Sequence, residues 1–111
     1  MLLKALGRLG APGAARPLAA LLADRSEKNV HLKRSCMAAL ASIGRPRGVR
    51  AIVDALASDD VYLRQGAAAV LEELAGGSFD FDPRKTPEEN RAAIEKFRAW
   101  GASKYGKAWE E

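Results

Sequence analysis

Val30-His-Leu-Lys-Arg-Ser-Cys-Met-Ala-Ala-Leu-Ala-Ser-Ile-Gly44 and Val61-Tyr-Leu-Arg-Gln-Gly-Ala-Ala-Ala-Val-Leu-Glu-Glu-Leu-Ala75 are one pattern written twice. Val30 aligns with Val61, Leu32 with Leu63, Lys33 with Arg64, Cys36 with Ala67, Leu40 with Leu71 and Ile43 with Leu74, at a constant offset of 31. A shorter echo comes earlier. Ala5-Leu-Gly-Arg-Leu-Gly10 matches Ala39-Leu-Ala-Ser-Ile-Gly44 at an offset of 34. Self-similarity at this period marks stacked helical repeats, in which each unit buries its apolar face against its neighbours.

The apolar residues of both copies recur every three or four positions, which predicts helices over about 29–43 and 60–75. Their inward faces are Leu32, Cys36, Ala39, Leu40 and Ile43, then Leu63, Ala67, Val70, Leu71 and Leu74. Gly44-Arg45-Pro46 turns the chain into a further helix at about 47–57 that buries Val49, Ile52, Val53 and Leu56. Upstream, Leu2, Leu3, Leu6 and Leu9 have helical spacing up to Gly10, and Pro12-Gly13 makes a turn. A helix then starts near Ala14, with Pro17 in its first turn and Leu18, Leu21 and Leu22 inward. Its exit, Asp24 through Asn29, is three residues longer than Ser58-Asp59-Asp60, which explains the two offsets.

After Gly76-Gly77 the pattern changes. Ser78-Phe-Asp-Phe-Asp-Pro83 alternates apolar and polar residues, which predicts an extended segment with Phe79 and Phe81 on one side. Thr86-Pro87-Glu88-Glu89 carries a capping box and a proline suited to a first helical turn. The helix it starts has Ile94, Phe97 and Trp100 or Gly101 inward, with Glu88, Arg91, Glu95 and Arg98 in water. Tyr105 and Trp109 follow as a frayed helix or a segment that docks back.

Alanine and leucine dominate the 111 residues, which favours an all-α chain of one domain. A single cysteine forbids an internal disulfide, and no apolar run is long enough to span a bilayer. Met1-Leu-Leu-Lys4 and the glycines and arginines after it make a poor signal peptide, so a cytoplasmic setting is expected. Charge divides unevenly. Residues 1–58 hold ten Lys/Arg against three acids, whereas residues 59–111 hold eight against eleven. The imbalance would suit an acidic partner for the first half or end-to-end self-attraction, but the neutral drift of repeat surfaces is the simpler explanation and the one preferred.

Paired helices closed by Ala-x-x-Leu-Gly-x-x-Gly-like turns, with an acid near the start of each pair and a basic residue soon after, resemble HEAT repeats. The likeness is greatest to the short bacterial type also seen in phycobilisome-lyase-like proteins. It rests on Ala5–Gly10, Val30–Gly44 and Asp60–Ala75. The segment from Gly77 through Trp100 is similar to a tail found at the end of bacterial HEAT-repeat proteins. The resemblance implies an all-α, short alpha-alpha superhelix of about two and a half repeats over residues 1–75. Residues 76–111 would form an extended loop and a C-terminal capping helix of the same domain. It also implies that first helices lie on a convex side and second helices on a concave one, which brings Arg16, Arg50 and Asp54 to the concave face. The sequence departs from the family where its first unit lacks most of a first helix and its third lacks a second helix. Leu2, Leu3 and Leu6 would then sit on an open end, available to preceding repeats or to a second copy.

Chemistry-bearing residues are few. His31 lacks the further ligands a metal needs, and Cys36 lies off its helical face, so it reads as a surface histidine. The His-Glu pairs of HEAT-like metal hydroxylases are missing. Cys36 reads as a buried filler, and Asp80 with Asp82 as a turn, because no calcium loop surrounds them. Asp59 or Asp60 with Arg64, and Glu27 with Lys33 or Arg34, read as structural ion pairs between units. Arg16 and Arg50 occupy equivalent positions and form a ridge with Arg8, Arg45 and Arg47 nearby.

The expected function is a non-catalytic protein–protein interaction scaffold with Arg16, Arg47, Arg50 and Asp54 as contacts and no cofactor. The alternative is nucleic-acid binding, with the basic ridge neutralising DNA phosphates, although no aromatic side chains interleave to stack on bases. A third reading, an enzyme or a lyase-like chaperone for a bilin, finds no acid–base pair or activated nucleophile.

Overall fold

The structure is a computed structural model that describes residues 15–24 and 26–109. The expectations for Leu2, Leu3, Leu6, Leu9 and Arg8 lie outside the described residues. Among those residues there is no strand. The helices are α1 (Ala15–Ala23), α2 (Val30–Ile43), α3 (Pro46–Ala55), α4 (Val61–Ala75) and α5 (Arg91–Tyr105), and a 3-10 turn (Gly106–Trp109) closes the series. None of the described helices is long and apolar enough to cross a membrane.

The doubled sequence gives doubled local structure. Asn29 and Asp60 cap α2 and α4, each accepting at 3.1 Å from the backbone N–H three residues on, at Leu32 and Leu63. Gly44 and Gly76 close the same helices with φ of 73° and 78°, a left-handed conformation that disfavours any residue with a Cβ. Pro46 fills the first position of α3, where its missing N–H costs nothing.

The helices pack in two rows. α1 lies against α3 and α3 against α5, while α2 lies against α4. Contacts of α1 with α2, and of α3 with α2 and α4, join the rows. Cys36, Leu40, Val49, Ile52, Val53, Leu56, Ala67, Leu71 and Phe97 have no exposed surface, so one apolar seam runs between the rows. Equivalent residues meet across neighbours. The rings of His31 and Tyr62 stand edge to face with centroids 5.3 Å apart. The overall extents are 35 × 32 × 22 Å, so the two longer dimensions are nearly equal.

The expected ion pairs between units are replaced by another device. Lys33 is buried, and its Nζ donates to the carbonyl of Asp24 at 2.6 Å. Arg64, its equivalent, is also buried and donates from Nη1 to the carbonyl of Ser58 at 2.9 Å and from Nε to that of Pro83 at 3.0 Å. Neither forms an ion pair with Glu27, Asp59 or Asp60. The physical reason is that carbonyls in the connections between helices have no place in a helical ladder and need donors, and a long cation supplies them. Asp60 is committed to its cap, and Glu27 accepts from the backbone N–H of Asn29.

The segment after α4 is a run of turns and not extended. Phe79 and Asp80 have φ of 50° and 65°, and Phe81 N–H bonds to the Ser78 carbonyl at 2.9 Å. Two successive non-glycine residues in this region cost on the order of 1–2 kcal/mol each. The offset comes from burial: Phe79 meets Phe97 edge to face at 4.8 Å, and Phe81 is buried. The capping box forms as expected, with Glu89 N–H donating to Thr86 Oγ1 and Glu89 Oε1 accepting from Thr86 N–H. The Thr86 N–H and, after it, the Thr86 hydroxyl, both donating to Glu89 Oε1, hold the Glu89 carboxyl below its ordinary pKa. The box nevertheless caps only a turn over 86–90, and α5 proper begins at Arg91. Asn90, at the N-cap of α5, makes no side-chain cap bond; it is buried and ties down the loop, accepting from Asp82 N–H at 3.0 Å and donating to Asp82 O at 2.7 Å.

The chain after α5 docks back. Trp109 is buried, stacks on Tyr105 at 5.9 Å and lies where a Cβ on Gly101 would be. Gly101→Ala is therefore expected to displace the Trp109 ring, although the same change in an open helix gains about 1 kcal/mol. Red-shifted tryptophan emission and a lowered Tm report it, and a raised Tm with unchanged emission contradicts this packing.

Candidate interaction groove

Among the described residues, side chains with potential for chemistry scatter, apart from one set. Cys36 is buried inside α2, and burial first, then the charge of Glu27, pushes its thiol pKa up. Its labelling by a thiol reagent at pH 8 is expected to lag that of the unfolded chain by about a hundredfold or more, because it reacts only from an opened state. Equal rates in native and unfolded protein would contradict its burial. His31 is exposed, with Nδ1 3.4 Å from the Tyr62 hydroxyl. Asp82 pairs with Arg84 at 3.1 Å, and the hydrogen bonds from Arg84 hold its carboxyl pKa down. Among the described residues, no three His, Cys, Asp or Glu side chains gather around a common point.

The exception is the outer face of the row formed by α1 and α3. An open groove of about 470 Å³ runs there, lined by Arg16 at the start of α1 and by Arg47, Arg50 and Asp54 on α3. Its remaining walls are alanines, Ala19, Ala20 and Ala23 of α1 and Ala51 of α3. Local sequence explains the arrangement. Positions 47, 50 and 54 are spaced by three and four, so they share one helical face. That face is opposite Val49, Ile52 and Val53, which point into the core. Arg16 is the counterpart of Arg50 in the adjacent helix of the row. The four residues singled out from sequence thus line one recess, whereas Arg45 does not line it.

Arg50 and Asp54 have partners that sequence reasoning missed. Arg50 Nη1 donates to the Trp109 carbonyl at 3.0 Å, and Arg98 Nη2 of α5 lies 3.4 Å from Asp54 Oδ1. The Asp54–Arg98 pair is exposed and contributes little to stability. The missed signal was Gly101, whose lack of a side chain leaves the landing place for Trp109 and so fixes which carbonyl reaches Arg50. The recess gathers three guanidinium groups and one carboxylate above a small-residue floor. Such a surface can hold carboxylates or phosphates in bidentate fashion. No protein-family model, no curated protein and no solved structure matches the chain.

Proposed function

We propose that the chain is a short HEAT-like alpha-alpha superhelix acting as a non-catalytic interaction scaffold, and that it takes a segment of another protein in the groove between α1 and α3. The single observation behind this reading is the convergence of Arg16, Arg47, Arg50 and Asp54 on one recess. The superhelical part is supported by the row α1–α3–α5, in which α5 fills the place of a third second helix. In such an array this row is the concave one. The fully buried seam keeps the helices from shifting, so shape and fixed charge do the recognising. A cytoplasmic setting belongs to the same proposal.

Ala20→Trp fills the groove from an exposed position and leaves the core untouched, and Ala69→Trp is its control on α4. Tagged full chain is used for capture from the source cell, with mass-spectrometric readout. A protein retained by the parent and by Ala69→Trp but lost from Ala20→Trp supports the reading. Equal capture by all three, or none above background, removes it. A second reading, binding of a nucleic-acid backbone, draws on the same three arginines. Duplex affinity that falls steeply between two salt concentrations, and further in Arg47→Glu, would replace the first reading by this one.

A further inference from the structure

We infer that the occupant of the groove is an acidic α-helical segment of a partner, lying along α1 and α3 with its carboxylates on Arg16, Arg47 and Arg50. This rests on the proposed interaction reading and specifies its partner.

Charge complementarity sets the sign. Three cations and one carboxylate line the recess, and that carboxylate already faces Arg98. A ligand with acids toward Arg16 and Arg47 meets unlike charge, and one with lysines there meets like charge. The shape sets the conformation. Both walls are helices whose backbone groups are bonded internally, so an extended peptide finds no free edge to pair with. A helix brings its own backbone bonds and needs only side-chain contact. The alanines at 19, 20, 23 and 51 let a helix axis come close, because small residues shorten the distance between packed helices. Nine residues of α1 and ten of α3 give the groove a length of about 13–15 Å, which accommodates two to three turns of a ligand helix.

Spacing then narrows the ligand. Arg47 and Arg50 lie three apart on one helix, and Arg16 faces them from the opposite wall. Glutamates at i and i+3 or i+4 of one helical face match the Arg47–Arg50 spacing, and a third on an adjoining turn is left for Arg16. Duplex DNA is favoured less, because its phosphates would leave the alanine floor unused. Asp54, at the end of the α3 wall, is paired with Arg98 and takes no part in holding the ligand's acids.

The probe is a fluorescein-labelled, alanine-based 16-residue helix with three glutamates on one face. Its companions are a glutamine version, a lysine version, and an equally acidic version broken by a central proline. Fluorescence anisotropy with the full chain is the readout. Binding by the glutamate helix is expected, weakened at least about tenfold in the glutamine and proline versions. It is also expected to weaken with added salt and in Arg16→Glu. Partial recovery is expected when Arg16→Glu meets a helix with one glutamate changed to lysine. Arg16 is exposed, so its replacement leaves the core intact. No binding by the glutamate helix, or equal binding by the glutamine, proline or lysine versions, overturns the inference. A negative result here with groove-dependent capture retained means that only the acidic-helix assignment fails. Loss of both means that the interaction reading itself has failed.

Discussion

Leu40→Ala and Leu71→Ala are each expected to destabilise the chain by about 2–5 kcal/mol. The two leucines are counterparts across the doubled sequence, and neither has exposed surface. Each truncation removes buried methyl groups and leaves a hole that neighbouring helices fill only in part. A second neighbour makes Leu40 the tighter site: Gly48 of α3 comes so close that a Cβ there would lie 2.8 Å from Leu40 Cδ2. In a domain of this size such losses lower Tm by roughly 10 °C or more. Thermal melts followed by circular dichroism read the effect. Leu74→Ala, at a half-buried position of the same helix, is the control and should cost less. Melting of both mutants with the parent would show that the repeat register is misassigned.

Phe97→Ala is expected to cost about 3–5 kcal/mol and to do so unevenly along the chain. Phe97 is wholly buried at the centre of α5, with the Phe79 ring edge-on to it. Removing it withdraws the contact that holds Phe79 and Asp80 in their left-handed turn. The loss should therefore spread to residues 78–82 and to the Trp109 turn before it reaches α1 and α2. Hydrogen exchange is the suitable measurement. Faster exchange throughout α5 with protection retained in α2 supports the packing, and uniform loss contradicts it.

Much of this was legible in the sequence because a helix buries its apolar residues at a fixed spacing. Leu18, Leu22, Leu40, Val49, Ile52, Leu56, Leu71 and Phe97 are all inward in the structure as read. The shared face of Arg47, Arg50 and Asp54 follows from the same spacing, but the sequence suggested a ridge, and the recess they line with Arg16 depends on how α1 lies against α3. What escaped was governed by backbone groups, which side-chain patterns do not announce. Lys33 and Arg64 seek carbonyls and not carboxylates. Phe79-Asp80-Phe81 has the alternation of a strand, yet a tight turn buries Phe81 and half-buries Phe79 without a neighbouring strand to pair with. Nothing in the sequence singled out Asn90, whose two-way bonds to the Asp82 backbone depend on a loop that sequence alone does not shape.

The clamp between Lys33 and the Asp24 carbonyl has a further consequence when set beside its counterpart at Arg64 and Ser58. The donor lies nine residues after its carbonyl in one case and six in the other, yet the same kind of bond fastens the mouth of each connection. Chain between the fastened points is thereby insulated from the angular phase of the helices it joins. Foreign sequence grafted there, a tag or a sensor loop, should leave that phase intact, whereas a graft inside a helix would not.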